Sequence, residues 1–384
     1  MENFQMHATT LSGLEELLAK ELTELGAKKV ETQKRLVTFE GDKELLYRAN
    51  LWCRTAIRIL KPIDLFSAYS EKELYSEIQK TNWSKYIDNK NSIAVDVILT
   101  KSTFQHSLYT AQLTKDAIVD QFRERTGERP SVDLKSPDLR VVLYINKNKV
   151  SVSLDTSGQS LHKRGYRTQT HTVPLNEVLA ASIVLFSKWD RSSAFVDGMC
   201  GSGTILIEAA MIALDIAPSF FRKKFGFMTW KDYDKVLYTK LRSEVERRRR
   251  TTSLSLMGCE VNKKTCMMAR DNIENAGLSK FIHVYNKPFE FFEPRRSSGT
   301  IVMNPPYNSR QKIQDDPNEK YKMIGDTLKK NYAGFDAYIF TGNLEAAKKI
   351  GLRASRRIPL HNGSLDCRLL YFEMYSGSKE VREK

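Results

Sequence analysis

The chain has 384 residues, 41% of them hydrophobic and 28% charged, with a mean hydropathy of −0.45 and a net charge of +15 from 61 Lys and Arg against 46 Asp and Glu. At roughly 150 residues per domain this length predicts two to three domains, each able to bury a core without covalent staples. The five cysteines show no C-x-x-C pair and no regular spacing, the first residues lack a basic start and apolar core, and nowhere do about 18 apolar residues run together, so neither a disulfide framework nor a zinc cluster is indicated, no signal peptide or membrane span is expected, and a reduced, cytoplasmic setting fits best.

The charge is unevenly placed. Residues 1–160 hold 23 basic and 22 acidic side chains, whereas residues 161–384 hold 38 and 24. Positive charge alone serves solubility as well as it serves nucleic-acid binding, so it bounds the partners without choosing among them.

In chain order, Phe4, Met6 and Ala8 alternate as a first strand. Ser12 and Glu15 have capping-box spacing before a helix with apolar residues at Leu14, Leu17, Leu18, Leu22 and Leu25, closed by Gly26. A strand pair over 30–40, a helix capped by Asp42 and running to 54, and a strand over 55–60 complete a β-α-β-β-α-β order, which predicts a ferredoxin-like segment over 1–65. A second α/β unit is expected over 66–155. It has a helix near Leu74, a strand over 92–100, a helix over 108–125 and a hairpin over 139–154 turning at Asn146-Lys147-Asn148. Lys101, His106 and Lys115 lie where its strand hands over to its long helix and are candidate RNA contacts, although a polar residue at a helix start accounts for His106 equally well.

Residues 156–173 form a Ser-, Thr-, Gly- and Arg-rich linker containing His162-Lys163-Arg164-Gly165-Tyr166-Arg167. From 174 to 384, longer helices alternate with short apolar strands over 194–197, 253–260, 281–285, 300–303, 336–341 and 369–374, which predicts a mostly parallel, doubly wound sheet.

Three strings carry chemistry. Asp197-Gly198-Met199-Cys200-Gly201-Ser202-Gly203-Thr204 runs from a strand through a glycine-rich turn into a helix, a turn that lets backbone approach a ligand at a helix N-terminus. Alone it is weak, because it lacks the full G-x-G-x-x-G spacing. Glu260 ends the next strand, where a carboxylate can accept from two ribose hydroxyls or simply cap the following helix. Asn304-Pro305-Pro306-Tyr307 follows the apolar strand end Ile301-Val302-Met303. Its two prolines remove backbone donors and stiffen the exit, which leaves carbonyls and the Asn304 oxygen as acceptors for an exocyclic amine on a planar base, with Tyr307 stacking on the ring. Such an amine is held with its lone pair exposed, so positioning supplies the rate and no histidine base is required.

Together these strings resemble the S-adenosylmethionine-dependent class I methyltransferases that modify amino groups. With His162 to Arg167, Pro174 to Ala181, Gly203 to Ala210 and Phe225 to Trp230, the whole chain resembles the THUMP-domain RNA guanine-N2 methyltransferases, those of bacterial 23S ribosomal RNA in particular. The resemblance implies a ferredoxin-like segment, a THUMP RNA-binding domain and, over 174–384, a Rossmann-like class I methyltransferase sheet whose last strand is antiparallel. It implies S-adenosylmethionine as cofactor, held by Asp197, Gly198, Cys200, Gly201, Gly203, Glu260 and, on the adenine side, Asn286, with Asn304 to Tyr307 at the target amine and no metal. Asn286 stands where many relatives carry an acid, and Asn308 where relatives usually carry glycine. Arg310 retains a charge able to meet phosphate, as do Lys163, Arg164, Arg167, Arg222, Lys223 and Lys224. Some relatives carry a second methyltransferase domain, which is not expected after Lys384. The expected substrate is a guanine of 23S ribosomal RNA. The alternatives are a transfer RNA guanine and, in another class, a non-catalytic RNA-binding or ribosome-assembly protein. Methyltransferases of DNA adenine or protein glutamine share the Asn-Pro-Pro-Tyr string but need no THUMP-like half.

Overall fold

The computed structural model describes residues 2–167, 174–306 and 316–375, which divide into two compact units. The first comprises residues 1–10, 18–161 and 222–244, and the second 11–17, 162–221 and 245–384.

The first unit is built on one eight-stranded sheet. β1 (Phe4–Thr9), α1 (Glu15–Glu24), β2 (Lys28–Gln33), β3 (Leu36–Gly41), α2 (Lys43–Trp52) and β4 (Arg58–Ser67) follow the expected β-α-β-β-α-β order. The strands lie as β2-β3-β1-β4, every neighbour antiparallel. Asp42 caps α2 by accepting from the Leu45 amide at 3.0 Å. Glu15 differs from the expected box, since its carboxylate accepts from the Gly13 amide. β4 is longer than expected and passes Pro62 with a register shift between Pro62 and Asp64, a place where a sheet tolerates a missing donor.

Its extension joins the next region into the same sheet. α3 (Glu71–Lys80), β5 (Ser92–Thr100), α4 (Ser107–Thr126), β6 (Ser131–Val132), β7 (Leu139–Asn146) and β8 (Lys149–Asp155) continue the order as β4-β8-β7-β5-β6. The hairpin β7–β8 pairs Asn146 with Lys149 and turns with Lys147 at a φ of 56°, as the sequence anticipates. Residues 222–244 cluster with this first unit. Tyr47 stacks on Phe227 with centroids 4.3 Å apart, Phe225 stacks on Phe227 at 5.3 Å, and Tyr233 and Tyr238 complete the aromatic cluster.

The second unit contains α5 (Glu177–Phe186), β9 (Ala194–Asp197), α6 (Thr204–Ala213), β10 (Leu256–Cys259), α8 (Lys263–Asn275), β11 (Ile282–Tyr285), β12 (Gly299–Met303), α9 (Pro317–Asn331), β13 (Phe335–Thr341), α10 (Leu344–Ala347), β14 (Arg356–Asn362) and β15 (Leu365–Glu373). One further helix, α7 (Lys235–Arg247), belongs to the first unit as far as Glu244. The sheet order is β11-β10-β9-β12-β13-β15-β14. Neighbours are parallel from β11 to β13, and β15 is antiparallel to both β13 and β14, the class I methyltransferase arrangement with its antiparallel strand. All four residues of β9 and of β10 are buried, as befits strands covered on both faces. α6 is buried along its whole length, so its TILIEAAMIA sequence needs no polar face. β14 is unforeseen. It is an edge strand, where Pro359 is tolerated among Arg356 and Arg357. Strand order reverses between β9 and β12, and α/β folds open a crevice at such a switch.

Among the described residues no helix is long and apolar enough to cross a membrane, and no group of three or more His, Cys, Asp or Glu could hold a metal. All five cysteines are buried, and none forms a disulfide.

Candidate active site

A cleft of about 740 Å3 in the second unit opens at the carboxyl ends of β9, β10 and β12, within the usual range for a small-molecule site. Asp197, Gly198, Cys200 and Gly201 from the glycine turn, Glu260 after β10, and Asn304, Pro305 and Pro306 after β12 all line it. The structure therefore brings together residues separated by more than a hundred positions in sequence.

Backbone ties hold this arrangement. The Gly198 amide donates to the Val302 carbonyl at 3.2 Å and joins the turn to β12, while the Cys200 amide donates to the Cys259 carbonyl at 3.0 Å and joins it to β10. Gly201 and Gly203 have φ of 53° and 80°, so the turn favours residues without a Cβ at both places. Gly203 then serves as the N-cap of α6 in a left-handed conformation, behind the cleft wall that Ser202 and Thr204 form.

The polar groups are poised to receive donors. Asp197 is 1% exposed; its Oδ1 accepts from the Met199 amide at 3.2 Å, and its Oδ2 is buried without a partner among the described residues. Burial, with the Glu260 charge added, pushes the Asp197 carboxyl up to about 7, against the opposing Met199 hydrogen bond. Burial likewise raises the thiols of Cys200 and Cys259, which are poor nucleophiles here. Glu260 accepts from Gly201 at 3.2 Å and from Asn262 at 2.8 Å. Asn304 Oδ1 is buried with no partner among the described residues. Unsatisfied acceptors of this kind are costly, and these two face one cleft, where a ligand can bring the missing hydrogens.

Some expected site residues stand elsewhere. Asn286 is exposed and gives both amide hydrogens away, to the carbonyls of Glu260 at 2.8 Å and Val261 at 2.9 Å, so it braces the loop after β10. Arg164, expected to meet phosphate, is 1% exposed and pairs with Glu208 at 3.3 Å, to which the Tyr166 hydroxyl also donates. Arg222 is buried and donates to the carbonyls of Ser157, Gln159 and Ser160. Arg167 is largely buried, pairing with Glu177 at 3.3 Å and donating to the Thr204 hydroxyl at 2.7 Å, beside the cleft. These three arginines spend their donors inside the fold, because a guanidinium is the cation best suited to several fixed acceptors at once. Lys163, Lys223 and Lys224 are exposed, as are Lys101 and His106 at either end of the loop before α4; Lys224 lies 4.0 Å from Asp138, and Lys115 pairs with Asp116. Tyr307, Asn308 and Arg310 lie outside the described residues.

The cleft also has walls that the motifs do not reveal. Lys287 to Glu290 follow β11, Pro174 and Leu175 precede α5, and Asp316, Glu319, Lys320 and Met323 come from α9. For α9 a signal exists, since those four positions have i, i+3, i+4, i+7 spacing along one helical stripe.

Three family models match the chain: an RlmL ferredoxin-like domain over residues 5–60, a THUMP domain over 68–155, and the RMKL-like methyltransferase domain over 164–370. The chain is 40% identical over 374 residues to the ribosomal RNA large subunit methyltransferase K/L of Methylococcus capsulatus, covering 96% of this chain and 51% of that one. It thus spans about half the length of the K/L relatives. It is 38% identical over 369 residues to slr0064 of Synechocystis, which bears an RNA methyltransferase name, with 96% of each chain covered. The crystal structure of SMU.472 complexed with SAH superposes with a TM-score of 0.88 at 29% identity, over 98% of this chain and all of that one.

Proposed function

The chain belongs to the RMKL-like methyltransferase family, with a ferredoxin-like and a THUMP domain ahead of the methyltransferase domain, and from that premise we propose that it methylates the exocyclic N2 amine of a guanine in 23S ribosomal RNA, using S-adenosylmethionine, in the cytoplasm. The single observation that carries the reading is the buried, unpartnered Asn304 oxygen at the exit of β12, followed by two prolines and facing the same cleft as Asp197 and Glu260.

The residues present fit the cofactor. Its ammonium and ribose hydroxyls are donors, and Asp197 Oδ2 and the Glu260 carboxylate are acceptors already fixed by backbone amides. When bound, the cofactor supplies an electrophilic methyl group. Asn304 accepts a hydrogen from the target amine, and the chain after it offers carbonyls but no amide hydrogen at Pro305 or Pro306, so nothing there competes for the amine's lone pair. Raised thiol pKa values keep Cys200 and Cys259 protonated and out of the reaction. Tyr307 stacks on a base flipped out of its helix, because guanine N2 is not accessible to a deep cleft while paired. Lys163, Lys223 and Lys224, with Lys101, supply exposed charge for phosphate.

Large-subunit RNA is preferred over transfer RNA because the K/L relatives are named for it. Purified protein incubated with labelled cofactor and unmodified 23S or transfer RNA, followed by nucleoside analysis, tests the proposal. Label in N2-methylguanosine of 23S RNA is the expected result. Label only in transfer RNA moves the substrate, label in another base overturns the guanine reading, and failure to bind cofactor at all revives a non-catalytic RNA-binding role.

A further inference from the structure

Beyond the amine itself, guanine and adenine differ in the atom beside it. Guanine presents the N2 amine, then an N1–H donor, then the O6 acceptor, whereas adenine presents the N6 amine followed by an unprotonated N1 acceptor. A site for guanine N2 therefore needs an acceptor next to the amine position and a donor beyond it, and a site for adenine N6 needs the reverse at the first of these.

α9 supplies both. Asp316, Glu319, Lys320 and Met323 line the same cleft as Asn304, Pro305 and Pro306, on one stripe of the helix, while Tyr321, Ile324 and Leu328 on the remaining surface are buried in the core. Asp316 is committed to capping, since its carboxylate accepts from the Asn318 amide at 2.9 Å. Glu319, in the first turn, makes no such contact among the described residues and is exposed on the cleft stripe. Its carboxylate is an acceptor only, and the neighbouring Lys320 ammonium is a donor only.

We propose that Glu319 is a specificity-determining residue that accepts the N1–H of the target guanine, with Lys320 donating to O6. The inference rests on the guanine-N2 reading of the site and explains how such a site rejects adenine despite an Asn-Pro-Pro-Tyr string that suits either amine. A carboxylate placed against adenine N1 would face a lone pair, and polar groups that a bound base shuts off from water and leaves unpaired are what give hydrogen-bonding sites their discrimination.

The test uses the full chain and an RNA that it methylates, synthesised with either guanosine or 2-aminopurine riboside at the target position. 2-Aminopurine keeps the 2-amino group but has neither N1–H nor O6. Wild type is expected to favour guanosine in kcat/KM by roughly 100-fold or more. Glu319→Gln, which can donate to an N1 lone pair, is expected to lose on the order of 30-fold with guanosine and to lose nothing, or gain, with 2-aminopurine, leaving the affinity for S-adenosylhomocysteine unchanged. Lys320→Met is expected to lose about tenfold with guanosine only. Equal losses on both substrates, or an undiminished preference in Glu319→Gln, overturn the assignment while the guanine reading stands. A wild type that labels no guanine overturns that reading first, and the assignment with it.

Discussion

The Gly201 amide donates to the Glu260 carboxylate at 3.2 Å, so the acid that ends β10 is fixed to the glycine turn that follows β9. The Asn262 amide holds the other oxygen at 2.8 Å. Both oxygens are thus oriented before any ligand arrives, and each retains acceptor capacity for a hydroxyl. Preorganisation of this kind lowers the ordering cost of binding. Glu260→Gln removes the charge and one of the two acceptors, and is expected to weaken S-adenosylhomocysteine binding about ten- to a hundredfold, the range for hydrogen bonds to a charged group. Calorimetric titration checks this; an unchanged Kd removes Glu260 from the ribose role.

Asn304→Ala deletes the acceptor for the amine and touches nothing that the cofactor is proposed to meet. Turnover is expected to fall about 10²- to 10³-fold, the scale on which a single preorganised polar group acts. The Kd for S-adenosylhomocysteine should stay within about twofold. A matching loss in cofactor affinity would contradict the assignment.

How far the sequence reveals these features depends on whether the signal is local. The glycine turn is readable because Gly201 and Gly203 answer a backbone demand, positive φ, that few other residues meet. The ferredoxin-like order and the β7–β8 hairpin are readable because side-chain alternation and turn chemistry lie within a few residues. The clustering of residues 222–244 with the first unit is not legible in the sequence, because Phe227, Tyr233 and Tyr238 find their partner, Tyr47, about 180 residues earlier, and nothing local announces that contact. Arg164 and Arg222 look like phosphate contacts for the same reason. A basic residue in a basic stretch shows its charge, but not the Glu208 carboxylate that meets Arg164 or the carbonyls that meet Arg222.

The Arg164–Glu208 pair separates structural from RNA-facing charge. Both side chains are at most 1% exposed, so Arg164→Met leaves a buried carboxylate without its cation, at a cost of roughly 3–5 kcal/mol. A fall in Tm of roughly 10 °C is expected, with much of it restored in the double variant Arg164→Met/Glu208→Leu. In contrast, Lys223→Ala should leave Tm nearly unchanged, and removing whichever of Lys163, Lys223 and Lys224 meets a phosphate should lower the salt slope of RNA binding by about one. Titrations at several salt concentrations distinguish the groups. A lysine whose removal leaves the slope unchanged does not meet phosphate.

Asp197 makes the site sensitive to pH. Burial raises its carboxyl from the ordinary 3.8 to about 7, with Glu260 adding to the rise. Between these values the folded chain keeps a proton that the unfolded chain has released, so this group's contribution to stability falls as pH increases from about 4 to about 7. Asp197→Asn keeps an oxygen able to accept from Met199 but cannot ionise. The variant should therefore gain on wild type as pH is raised, with a Tm difference that shifts in its favour between pH 5 and pH 8. The other buried acids pushed upward, Glu21, Asp155 and Glu177, are common to both proteins and cancel in the comparison. A cationic ligand beside Asp197 favours the ionised form, so S-adenosylhomocysteine, with its ammonium, should bind wild type more tightly as pH rises through 7 and bind the variant with a flatter profile. Parallel Tm curves for the two proteins would mean that Asp197 does not titrate in this window.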